Sequence, residues 1–407
     1  TLIVDGNTIS SNTGIGVLLN SQYGPEFGGS VNSTPSVATM SNNVIRSNGD
    51  DGLWAQTTGS SELSVTDNTI ANNRRGVGIS GGAVFSRNHV EGNSPAGGIT
   101  YRAYAGGNER ITGNVIINNS NGAQTNLPFV GQGGGITIQM NAGGGSFTFS
   151  NNIISNNSAT VEAGGVFLNV TGTQTLPVTM TNNLIAQNTA PKNAALVISA
   201  LTFSGTSAIA AVSAPISLNT ITQNRSTTAN TAAISVIGNP VFAQNNWFNN
   251  TSTYTLEYGG SNTASALNAA NNWWGTTTES TIQSQIYDFS DDGSRGVVTY
   301  APALSGPNLS ALISPPSGLQ VTAGDGTLTL AWAANPESDR LGYKVYYGRT
   351  SGVYAGTGAT QGNSPLDVGN VSSAINAASA ANVGRFDRRF SRGRFHGLRP
   401  RVPHRTR

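Results

Sequence analysis

Asn43-Val44-Ile45-Arg46-Ser47-Asn48, Asn68-Thr69-Ile70-Ala71-Asn72-Asn73, Asn88-His89-Val90-Glu91-Gly92-Asn93 and Asn114-Val115-Ile116-Ile117-Asn118-Asn119 are four copies of one phrase, Asn-x-(Ile/Val/Trp)-x-x-Asn. Further copies at Asn7-Ile9-Asn12, Asn152-Ile154-Asn157, Asn183-Ile185-Asn188, Asn219-Ile221-Asn224 and Asn245-Trp247-Asn250 bring the total to nine, and a tenth opens at Asn272-Trp274. Steps of 20 to 38 residues are too irregular for a fibre. They suit a solenoid whose coils carry loops of different length.

The residues around each copy complete a coil. A Gly-led strand follows, as in Gly52-Leu53-Trp54-Ala55, Gly76-Val77-Gly78-Ile79, Gly98-Ile99-Thr100-Tyr101 and Gly135-Ile136-Thr137-Ile138. Another strand, such as Leu63-Ser64-Val65-Thr66 or Phe147-Thr148-Phe149-Ser150, then leads into the next Asn. Three short strands per turn predict a triangular prism of about ten coils stacked at about 4.8 Å. The central aliphatic residue points inward and its two neighbours outward. The asparagines and glycines are expected to sit at corners because they tolerate left-handed backbone, and the stacked asparagines to bond as an amide ladder.

Composition agrees with this all-β reading. Only 10% of the 407 residues are charged and 51 are glycine, so long charged surface helices are not expected. The apolar 37% arrives in short β-branched pairs, and no run of about 18 predicts a membrane span. With no cysteine, thiol catalysis and thiolate metal sites are excluded, a composition that suits export. The chain opens on strand and turn residues, so an export signal and earlier coils are expected to precede residue 1. Nine of the 21 Lys and Arg residues lie between Arg385 and Arg407, and the preceding body carries a net charge of −6. Such a body lacks the basic and aromatic interleaving of a nucleic-acid surface.

These repeats resemble the right-handed parallel β-helix of the pectate-lyase-like superfamily, over residues 1–305. Asn271-Asn272-Trp273-Trp274-Gly275 and the strands after it resemble the closing coil of bacterial secreted β-helix proteins, with the paired tryptophans covering the end of the core. Residues 306–316, containing Ser314-Pro315-Pro316, read as a linker. Residues 317–383 resemble the first half of a fibronectin type III module, carried by Trp332 and Tyr343-Lys344-Val345-Tyr346-Tyr347. The strand pattern is lost from Ala374 onward. Residues 384–407 read as a disordered basic tail, better explained by a shifted frame or truncated gene than by function.

Chemistry concentrates in the early coils, with 12 charged residues from Arg46 to Arg110 against five from Ile111 to Ser280. Aligning coils places Asp50 with Arg74 and Asp51 with Arg75, which reads as an exposed ion-pair ladder. Two outward columns follow on the Gly-led strands: Trp54, Gly78, Thr100, Thr137, Phe167, and Gln56, Ser80, Arg102, Gln139, Asn169. Exposed rings beside amides and a guanidinium make a shelf for a sugar, so Trp54, Gln56, Arg102, Gln139 and Phe167 are the carbohydrate-binding candidates. His89 reads as an outward surface histidine near Glu91 and Arg87. Superfamily enzymes use calcium-binding aspartates with an arginine base, or paired carboxylates. Asp50, Asp51, Asp67, Arg74, Arg75, Arg102 and His89 are the catalytic candidates, and none completes a family motif. Asp288, Asp291 and Asp292 form a crude calcium-like group, making calcium the candidate cofactor. The expected protein is an extracellular or cell-surface monomer that binds a polysaccharide or glycan or serves in adhesion. The alternative is a polysaccharide lyase or glycoside hydrolase working over the early coils.

Overall fold

The computed structural model describes residues 2–20, 37–56, 62–103, 108–122, 131–141, 146–171, 177–199, 216–263, 266–313, 316–324, 327–335, 340, 342–348, 356–371, 373–377 and 385–387. The chain divides into two compact units, Thr1–Leu312 and Ile313–Arg407.

Each repeated phrase contributes one three-residue strand to a single parallel sheet. Its strands run from Thr8–Ser10 and Val44–Arg46 through Thr69–Ala71 and His89–Glu91 to Asn246–Phe248. The strands before the phrase stack into a second parallel sheet, from Leu2–Asp5 to Phe242–Ala243. Those after it form a third, from Val17–Asn20 to Ile286–Tyr287. Among the described residues these faces hold nine, nine and ten strands, and together they enclose one core. Ile45, Ile70, Val90, Ile116 and Ile154 pair in register from coil to coil and are fully buried, continuing through Ile185, Ile221 and Trp247. Burying each such side chain stabilises the rod by about 1.5–3 kcal/mol.

Two amide ladders run along the corners. In the first, from Asn7 through Asn43, Asn68, Asn88, Asn114, Asn152, Asn183 and Asn219 to Asn245 and Asn272, each backbone N–H and Nδ2 donates to the Oδ1 of the next Asn. The second runs from Asn12 to Asn250 in the same way. The left-handed backbone lies one residue earlier than the sequence suggests. Asn42, Ser47, Asp67, Asn72, Arg87 and Gly92 carry the positive φ, and each precedes a ladder asparagine. The strand-opening glycines have a steric cause instead. A Cβ on Gly52 would lie 2.7 Å from Asn73 Nδ2 and from Ile70 Cγ2, where the ladder fills the corner.

The far end is closed by aromatic packing. Trp274 is buried edge-on against Trp247, with centroids 4.9 Å apart, and Trp247 meets Phe242 at 5.3 Å. Trp273 stays half-exposed, so one indole of the pair enters the core. A single short helix among the described residues, Glu279–Ser284, buries Ile282 beside this end. No described helix is long and apolar enough to cross a membrane.

The segment read as a linker from residue 306 belongs in part to the first unit. Asn308 donates its N–H to Asn246 Oδ1 at 2.6 Å and its Nδ2 to Gln244 O at 2.9 Å. Among the described residues the second unit holds two three-stranded antiparallel sheets. One orders Ser317–Gly324, Thr327–Ala333 and Ser373–Ala377; the other orders Leu366–Gly369, Tyr343–Gly348 and Arg385–Asp387. Leu330, Trp332, Tyr343, Val345, Tyr347 and Leu366 form its core. The strand pattern therefore continues past Ala374 and into the stretch read as a basic tail, because pairing overrides the weak strand propensity of alanine. Residues 388–407 lie outside the described residues.

Candidate functional site

The parallel pairing of the third face fixes its outward columns. Trp54, Gly78, Thr100, Thr137 and Phe167 stand in one register, continued by Val197, Ser235, Glu257 and Tyr287. Gln56, Ser80, Arg102, Gln139 and Asn169 stand in the next. Both columns follow the order expected from glycine alignment.

What occupies them differs in two places. Trp54 does not stand beside an open gap at Gly78, since a Cβ at Gly78 would run into its ring. The half-exposed indole lies across that glycine, with the Arg75 guanidinium carbon 4.9 Å from its centroid. Arg75 in turn is held by both oxygens of Asp51, Nε donating to Oδ1 at 2.9 Å and Nη2 to Oδ2. With side chains 7% and 4% exposed, this pair is not the solvated surface ladder that the sequence suggested. Burial pushes the Asp51 carboxyl above the ordinary aspartate value, and Arg75 opposes that rise. The neighbouring Asp50 and Arg74 do make an exposed bridge, at 2.9 Å. Phe167 is the second difference. It is buried in a small cluster with Ala163 and Val197 and offers no surface ring.

Arg102 sits at the centre of the polar column, half-exposed, with Gln139 half-exposed one coil on. Its Nε is buried without a hydrogen-bond partner, and among the described residues no acid pairs with it. Arg74, Arg75, Arg87 and Arg295, by contrast, each meet a carboxylate.

The remaining candidates disperse. His89 does face outward on its strand but is buried; its Nε2 lies 2.8 Å from Glu91 Oε2 and its Nδ1 has no partner. Arg87 turns away to a bidentate bridge with Asp67. Asp50, Asp51 and Asp67 are thus each matched to an arginine, and among these candidates no two carboxylates meet over a common groove. Asp288 is buried and accepts the N–H groups of Ser290 and Val298, while Asp291 accepts that of Asp288 and Asp292 that of Ser294. These aspartates fold a turn around backbone donors instead of converging on a cation. No described group of three or more His, Cys, Asp or Glu side chains is placed to hold a metal.

Sequence reading missed two clusters. Glu109 occupies an inward position of the core, where Tyr101 Oη and the Ala83 N–H donate to its Oε2. Burial raises both groups, Tyr101 well above its ordinary value. The alternation of strand Asn108–Thr112 places Glu109 inside and was the available signal. The other cluster lies at the far end of the third face. Tyr254 and Tyr287 are half-exposed with centroids 4.9 Å apart, and Arg295 lies 4.4 Å over Tyr287.

Residues 1–190 match the family model described as the right handed beta helix region. With the three stacked parallel faces, this makes the first unit a right-handed parallel β-helix. No curated protein and no solved structure matches the chain.

Proposed function

We propose that the chain is an extracellular or cell-surface polysaccharide-binding protein, and that a glycan lies on the third face of its first unit, over the early coils. The observation that carries this reading is Arg102. A half-exposed guanidinium whose Nε has no hydrogen-bond partner and which no acid among the described residues pairs, standing between Ser80 and Gln139 in the column next to that of Trp54, offers a planar set of donors to sugar oxygens. Trp54 adds a fixed apolar surface on which the C–H face of a pyranose stacks. Gln56 and Gln139 supply amides on either side along the column. The second unit is read as a fibronectin type III-like module, a further contact domain. No calcium is required by this reading. Cleavage is not part of it, because the candidate acids are each matched to an arginine.

Titration of the full chain with soluble polysaccharides, followed by calorimetry, tests the reading. Trp54→Ala and Arg102→Gln are each expected to weaken binding about tenfold while leaving the melting temperature unchanged, with no release of reducing ends or unsaturated products. Unchanged binding in both variants, or product release abolished by Arg102→Gln, would overturn it.

A further inference from the structure

We propose a second glycan station at the far end of the same face, built on Tyr254 and Tyr287, and an uncharged polymer long enough to reach both stations as the ligand. The proposal rests on the binding reading above and extends it to substrate class and length.

Tyr287 stands in the same outward column as Trp54, eight coil steps further on, so the two rings are separated by about 38 Å at the usual strand spacing. The two ends share a construction. At each, an aromatic ring lies against an arginine that carboxylates immobilise. Arg295 Nη1 pairs with Glu257 Oε1 at 3.1 Å and donates to Tyr258 O at 3.0 Å, and its Nε lies 3.5 Å from Asp292 Oδ2. Tyr287 is thereby held over a fixed cation, and Tyr254 adjoins it with planes 35° apart. Both rings are half-exposed, so together they form a stacking surface broader than a single side chain.

Midway between the stations Thr137, Phe167 and Val197 are buried and offer no ring to a sugar. A trisaccharide can occupy one station only, whereas a long chain can engage both and gain avidity without any new contact. Charge selects the class of polymer. Arg295 is opposed by Glu257 and Asp292, and Asp291 lies close enough to raise the Tyr254 hydroxyl further. This end therefore carries an excess of negative charge, which repels a polyuronate and tolerates a neutral chain.

The test measures binding of the full chain to a soluble neutral β-glucan, to the trisaccharide cut from it, and to polygalacturonate. Tyr287→Ala and Tyr254→Ala are expected to weaken β-glucan binding at least tenfold and trisaccharide binding by less than threefold, with Tyr287→Phe close to wild type. Should Tyr287→Ala unfold the last coils, Tyr254→Ala, at the rim of the pair, decides alone. The second station is overturned if a folded Tyr254→Ala binds β-glucan as wild type does while Trp54→Ala does not. Tighter binding of polygalacturonate than of β-glucan overturns the uncharged class. If Trp54→Ala and the tyrosine variants all bind as wild type, or no polymer binds, the underlying reading fails along with the second station.

Discussion

Asp51 and Arg75 show how one buried contact fixes a surface feature. The pair lies beneath Trp54, so removing its negative half leaves a guanidinium with neither water nor counter-charge. Asp51→Asn is expected to cost about 3 kcal/mol or more in urea unfolding and to shift Trp54 fluorescence, whereas Asp50→Asn on the exposed bridge costs at most about 1 kcal/mol. Glu109 gives a prediction in pH. Its folded-state pKa is raised by burial, so the folded chain holds the proton more tightly than the unfolded chain. Stability then falls as pH climbs from the ordinary glutamate range through the raised folded value, and levels off above it. Glu109→Gln, which keeps an acceptor for Tyr101, is expected to flatten that fall when denaturation midpoints are compared between about pH 4 and pH 8. At this scale the sequence was legible in direction and not in depth. Alternation placed His89 and Phe167 outward, yet both are buried, Phe167 in a cluster with Ala163 and Val197 and His89 beside Glu91, and no strand period encodes such contacts.

Strands and corners were more open to reading. The phrase fixes register because an aliphatic residue moved by one position would leave the core. The part played by glycine was less visible, since a corner crowded by its neighbours and a corner needing left-handed backbone call for the same residue. Gly76 separates the two causes. Its φ is not positive, and an added Cβ would meet Asn93 Nδ2 and Val90 Cγ1, each at 2.9 Å. Gly76→Ala is expected to cost about 1–3 kcal/mol by thermal unfolding, while Gly293→Ala, with open space around it, changes stability by less than about 0.5 kcal/mol. In the second unit the sequence understated what forms. Ser373–Ala377 has the composition of a weak strand and pairs nonetheless, since its hydrogen bonds are supplied by Thr327–Ala333.

For the whole molecule, stability is a sum over neighbouring coils, so damage at one end spreads inward from that end. Trp274→Ala removes the indole that packs on Trp247, and a loss of about 3–5 kcal/mol is expected. Hydrogen exchange should then show Asn246–Phe248 and Tyr254–Tyr258 losing protection before Thr69–Ala71 does; uniform loss along the rod would contradict nearest-neighbour stacking. Nine copies of one phrase made the prism readable, but the polar candidates were harder to see, because Arg102 is distinguished by having no acid partner among the described residues and Glu109 by its place in an apolar interior. The amide ladders carry one more implication. Every rung gives its backbone N–H and an Nδ2 hydrogen forward to the next asparagine, and from Asn43 onward the Nδ2 also reaches back to a carbonyl of the coil behind, so the two directions along the prism are not equivalent. A coil grafted from elsewhere in the rod in the same orientation would find its connections waiting, whereas one threaded backwards would set donor against donor at both corners.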